Sequence, residues 1–205
     1  CALRLGAKIC YKHNYICGKA VKEDGTHGLS CKNSAGRLPR HGQANDIIKR
    51  ALVSGNIAAT REPLGVCRND GKRPDGMSLY PYKQGKLLLW DFTFSDTLAM
   101  SHVEKSAKEA GSAANEAETK KFNKYHELSH SYHFVPVSVE TLGVWGETGL
   151  KFMKEVGKNL ISQTGEKASA FLFQSIGIAV QRGNAQSILG TKESDTEALD
   201  TIFFL

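Results

Sequence analysis

The sequence has no long hydrophobic run. None of its apolar stretches approaches the roughly 18 residues that a spanning helix needs, which excludes an integral membrane protein and gives no reason to expect a membrane partner. It has no charged n-region ahead of an apolar stretch, hence no signal peptide, and it starts at Cys1 rather than Met. The expectation is a segment of a longer reading frame. There are no internal repeats and no long low-complexity segments. A Gly-rich phosphate loop and a nucleophile elbow are also missing, which removes the main support for a small-ligand enzyme on an unrelated α/β sheet. Cysteine is scarce and odd in number: Cys1, Cys10, Cys17, Cys31 and Cys67 fit a disulfide framework poorly. Their clustering near His13 and His27 favours reduced, metal-binding thiols in an intracellular setting.

What is present suits a folded domain. The 205 residues are 40% hydrophobic and 23% charged, enough apolar matter for a core and too much for a disordered chain. The net charge of +6 is polarised: residues 1–86 hold 16 Lys/Arg against 6 Asp/Glu, and residues 87–205 hold 11 against 15. A basic half suits a polyanion, since neutralised phosphates release counterions, although a solvated basic face would look the same.

Residues 1–38 are rich in Gly, Cys, Lys and His without apolar periodicity, the pattern of a small loop-rich module held by metal. From Arg40 the pattern is helical, with Ala44, Ile47, Ile48, Ala51 and Leu52 on one face and Gly55 as C-cap. Strands are predicted over 57–62, 76–82 and 86–94, the last carrying Leu87-Leu88-Leu89-Trp90, a run suited to burial on both faces. A polar, Ala-rich helix over 101–131 is expected to break near Gly111. An alternating strand follows over 133–141, with Pro136 marking an edge or bulge. Amphipathic helices over 148–163 and 168–189 precede an acidic tail, 191–205. This order gives an α/β fold with one mixed sheet flanked by helices, the main domain spanning 39–190.

Chemistry concentrates in acids on successive strands. Asp75 enters the second strand within Arg73-Pro74-Asp75-Gly76, Asp91 follows an apolar run in the third, and Glu62 closes the first. Carboxylates in apolar surroundings need a cation, and oxygen donors suit Mg²⁺ or Mn²⁺. Individually these residues also read as a turn residue, a partner for a buried Lys or Arg, and a surface residue at a strand end. Cys17, His27 and Cys31, spaced x9 and x3, supply three potential Zn²⁺ ligands, with Cys10 or His13 as the fourth. Cys67 and Trp90 read as core residues.

Glu62, RPDG at 73–76 and Asp91 resemble the PD-(D/E)xK pattern of restriction-like nucleases. The ordered set resembles more closely the restriction-like endonuclease region of non-LTR retrotransposon proteins, in which a CCHC-like zinc knuckle precedes an Arg-His pair, an Arg/Lys-Pro-Asp and a second Asp. Here these are Arg40-His41, Arg73-Pro74-Asp75 and Asp91. The stretches His27-Gly28-Leu29-Ser30-Cys31, Asp70-Gly71-Lys72 and Gln181-Arg182-Gly183-Asn184-Ala185 look like reading frames of this type, and the resemblance runs from about Cys10 to Gly190.

The resemblance implies a restriction-endonuclease-like sheet and an Mg²⁺-dependent endodeoxyribonuclease that nicks target DNA by attack of metal-activated water. Glu62, Asp75 and Asp91 would hold the metal, and Cys10, Cys17, His27 and Cys31 would hold Zn²⁺. Arg40, His41, Arg73, Lys32, Arg37 and Lys19 would meet nucleic acid, DNA or also RNA. A reverse transcriptase portion of a longer polyprotein is the implied partner and the nucleus the implied location. Two positions depart from the pattern. Thr93 stands where the family often has Lys, and Tyr15 where the knuckle often has Cys. Related nucleases move the lysine to the following helix, where Lys121 and Lys124 are the alternatives and Tyr125 lies four residues after Lys121. Glu140 is a further acid placed to tune the site. The departures keep open an inactive nucleic-acid-binding or structural remnant of the same fold.

Overall fold

The computed structural model describes residues 2–66 and 71–191. Cys67, Asp70 and the tail from 192 to 205, on which sequence expectations fall, lie outside the described residues.

The chain forms a mixed α/β domain around a four-stranded sheet of order β3-β4-β5-β6, with strands Ala59–Arg61, Gly76–Lys83, Lys86–Ser95 and His133–Glu140. The first three are antiparallel, and β6 runs parallel to β5. Gln84 and Gly85, both at positive φ, turn β4 into β5 with Lys83 paired to Lys86, the two-residue geometry that matches strand twist. Alternate β5 residues separate two cores. Leu88, Trp90 and Phe92 pack with Ile48 and Leu52 of α2 (Arg37–Ser54) and Met153 and Val156 of α5 (Glu147–Thr164). Leu89 packs on the other side with Tyr125 and Phe134. Pro136 lies on β6, an edge strand in this order.

Three expectations shift in detail. The predicted 101–131 helix is two helices, α3 (Val103–Lys108) and α4 (Ser112–Lys124), followed by a 3₁₀ turn at His126–His130. Gly111 at φ 89° makes the break, a conformation that excludes continuous helix. The first sheet strand is three residues long because Glu62 turns to φ 48° ahead of Pro63. The α2 helix starts at Arg37, with Pro39 in the first turn where its missing N–H costs nothing, so a boundary at 38/39 falls inside it.

The N-terminal segment forms a hairpin of β1 (His13–Asn14) and β2 (Ala20–Val21) and a short helix α1 (His27–Ser30). It docks on the end of α6 (Ala168–Leu189): a Cβ on Gly28 would collide with the Ser187 carbonyl, and His13 Nε2 meets Thr191 Oγ1 at 3.1 Å.

Candidate functional site

Residues from α2, the β4–β5 pair and α4 supply two acids and their partners. Asp75 directly precedes β4, and its N–H donates to the Trp90 carbonyl at 3.0 Å, which sets it beside Asp91 on β5. The Asp75 carboxylate turns towards α2. Its Oδ2 accepts the Phe92 N–H at 2.6 Å and lies 3.1 Å from His41 Nε2. Asp91 is 3% exposed and turns towards α4, where Lys121 Nζ donates to its Oδ1. Of the two candidate lysines, Lys121 therefore reaches the acid. Lys124 lies over the Tyr125 ring and donates to its hydroxyl at 3.1 Å. Tyr125 is fully buried and donates to the Arg73 carbonyl at 2.9 Å, anchoring the loop that delivers Asp75.

His41 Nε2 also faces the Phe92 carbonyl at 3.1 Å, and two acceptors there require Nε2 to carry the proton. Behind it stands Asn45, 1% exposed, which accepts the Trp90 indole N–H at 3.0 Å and turns its amide nitrogen to the His41 carbonyl at 3.3 Å. Burial pulls the His41 pKa down. The hydrogen bond and charge of Asp75, the Phe92 carbonyl and the charge of Asp91 outweigh it, and the net pKa is raised. Burial pushes Asp75 up, but His41, the Phe92 N–H and Asn45 hold it below the usual carboxylate value. Asn45 was missed by the sequence reading. The signal available was its position four residues after His41, one turn along the same helix.

Glu62 stands apart. It is exposed, its left-handed backbone lies beyond the end of β3, and its N–H donates to the Asp75 carbonyl at 2.8 Å. Ligand oxygens of Glu62, Asp75 and Asp91 do not all come within 4.8 Å of one another. Two carboxylates remain, Asp75 held by His41 and Asp91 by Lys121.

Arg40 is displaced from the surface role expected of it. It is 5% exposed, its guanidinium lies 4.4 Å from the Phe94 ring centroid, and Nη1 donates to Asn184 Oδ1 at 2.7 Å. Burial pushes its pKa down to about 10, and Gly183 is required there because a Cβ would strike its side chain. Lys32, Arg37 and Arg73 are exposed. A cleft of about 520 Å³ is lined by Cys31, Lys32, Arg37, His41, Asp96 and Lys121, so it runs from the Cys/His segment to His41 and Lys121, the partners of the two acids. Thr93 supplies no cation to this cleft, and Lys121 does.

Glu140 and Glu118, also acidic and buried, serve helix ends. Glu140 Oε1 accepts the N–H groups of Ala113 and Ala114 at the start of α4, at 3.1 and 3.3 Å. Glu118 of α4 accepts those of Thr148 and Gly149 at the start of α5, both at 2.9 Å, and that of Ser138 at 3.3 Å. Burial raises the Glu118 pKa against these donors. Glu140 thus holds the helix that carries Lys121, at a distance from the Asp91 contact.

The sequence-predicted thiol cluster assembles in part. Cys17, His27 and Cys31 bring ligand atoms within 4.8 Å of one another, with Cys17 Sγ 3.1 Å from His27 Nε2, and these three could hold a metal ion. Cys10 does not join them; its thiol faces the carbonyls of Lys22 and Glu23 at 3.3 and 3.8 Å. No protein-family model matches the chain, and no curated protein matches it. No helix among the described residues is long and apolar enough to cross a membrane.

Proposed function

We propose that the chain is a divalent-metal-dependent DNA endonuclease domain of the restriction-like type and of retrotransposon origin. The observation that carries this reading is Lys121 on the buried carboxylate of Asp91, beside Asp75 on the neighbouring strand. That is the acid-acid-lysine set of the resembled family, with the lysine supplied by a helix. Mg²⁺ or Mn²⁺ bound by Asp75 and Asp91 would supply Lewis-acid polarisation of a phosphodiester oxygen. Lys121 lines the cleft and would place an ammonium near charge that develops on a scissile phosphate bound there. His41 and Asn45 fix the orientation of Asp75. Lys32 and Arg37 line the same cleft and suit phosphate contacts that set the register of a DNA strand, or of RNA. Zn²⁺ on Cys17, His27 and Cys31 would hold the hairpin against that cleft. A reverse transcriptase portion and a nuclear location belong to this reading.

The test is nicking of supercoiled plasmid by the purified chain with Mg²⁺ or Mn²⁺, beside Asp75→Ala, Asp91→Ala and Lys121→Met. Nicking by the unaltered chain alone is expected. A second reading, a binding remnant of the same fold, is favoured by the position of Glu62 outside the acidic site. Plasmid binding without nicking, equal in all four proteins, would establish it.

A further inference from the structure

A closed structural zinc site takes four protein ligands, and among the described residues the trio Cys17, His27 and Cys31 supplies three. The donors nearest in sequence are committed elsewhere. Cys10 faces two backbone carbonyls. His13 uses Nδ1 at the Tyr11 carbonyl, 2.8 Å away, and Nε2 at Thr191. The resemblance implies a ligand at position 15; Tyr15 there sets its ring edge-on to the His27 ring at 6.0 Å and turns its hydroxyl away to the Asn33 carbonyl at 2.7 Å. Cys31 is buried, whereas Cys17 and His27 are half-exposed, so solvent reaches two of the three residues.

We infer that this trio is a three-residue zinc site with an open fourth position, occupied by water and exchangeable for a thiolate from outside the chain. The inference rests on the reading of the trio as a zinc site. Two Cys sulfurs and one imidazole leave a tetrahedral ion one donor short, and zinc accepts a further soft sulfur readily. The arrangement has the coordination pattern of sites that exchange a ligand, on a segment where a closed knuckle is otherwise expected. Its functional meaning is a regulatory one: a thiol reaching the metal would add a ligand to the hairpin that borders the cleft.

The experiment uses the full chain, kept reduced with a phosphine, and Co²⁺ as the probe for zinc. One cobalt is expected to bind with a two-thiolate charge-transfer band and to be displaced by zinc. Millimolar β-mercaptoethanol is expected to shift the visible bands and to raise the charge-transfer intensity, as a third sulfur would. Tyr15→Cys should show the higher intensity from the start and lose the response, while Cys10→Ser and His13→Ala should respond as the unaltered chain does. An unaltered chain that binds cobalt but ignores the thiol overturns the open site and leaves the zinc reading standing. Stripping of the cobalt by thiol also overturns it. No cobalt uptake by a chain with intact circular dichroism overturns both.

Discussion

Replacing Lys121 by Met keeps the length of the side chain and removes the cation that faces Asp91. The carboxylate is 3% exposed and the Lys121 side chain 24% exposed, so the pair is neither a surface ion pair nor fully sealed. Breaking a fully buried pair costs about 3–5 kcal/mol, and an exposed pair contributes about 0.2–1 kcal/mol. With one partner a quarter exposed, the expected loss is about 2–3 kcal/mol, a downward shift of roughly 1 M in the urea midpoint. Lys124→Met removes a contact to the Tyr125 ring and a hydrogen bond to its hydroxyl, together about 1–2 kcal/mol. Buried Trp90 makes fluorescence a suitable probe of urea unfolding. The cycle Lys121→Met, Asp91→Asn and the double variant isolates the coupling, expected at about 2 kcal/mol. A coupling below about 0.5 kcal/mol would refute the assignment of Lys121 to Asp91.

Other expected outcomes are more compact. Glu118→Ala strands three backbone donors, two of them at the start of α5, and should lower stability by about 2 kcal/mol or more in the same assay. Gly76→Ala sets a Cβ onto the buried Trp90 indole and should cost about 3 kcal/mol or abolish folding, read as loss of a cooperative urea transition. The raised His41 pKa contributes stability that is complete below its ordinary 6.5 and is lost as pH rises through the folded value. Lowered Asp75 contributes stability present above its ordinary 3.8 and lost as pH falls through the folded value. The His41 ring resonance should therefore titrate above 6.5 by NMR, and Asp75→Asn should move it down.

The strands, the Gly111 break and the pairing of Asp75 with Asp91 were legible because each rests on local chemistry. Leu87 to Trp90 can only be a buried segment, Gly adopts the φ that ends a helix, and an acid after Pro and another after an apolar run mark two strand positions. The choice between Lys121 and Lys124 was not legible. Both lie on nearly the same side of α4, and what selects one is the rotation of that helix, fixed by burial of Ala113, Ala114 and Glu118. Glu62 misled because a residue before Pro reads as extended, whereas here the chain turns left-handed to leave the sheet. Arg40 and His41 are adjacent in sequence but diverge, one into the core against Phe94 and one to Asp75, a separation that follows from the 100° step of a helix. The fourth zinc ligand was unreadable because the alternatives, His13 and Cys10, are drawn off by tertiary contacts, one of them to Thr191.

The contact between His13 and Thr191 spans 178 positions of the chain. A hairpin synthesised ahead of α6 therefore waits for nearly all the described domain before it can dock, since so distant a pairing forms late. During that wait the segment that carries Cys17 and Cys31 lacks its dock on the end of α6, and thiols left open to solvent are open to oxidation. A metal ion captured in that interval would act as a chemical guard, keeping both sulfurs unoxidised until the last turn of α6 arrives to seat the hairpin.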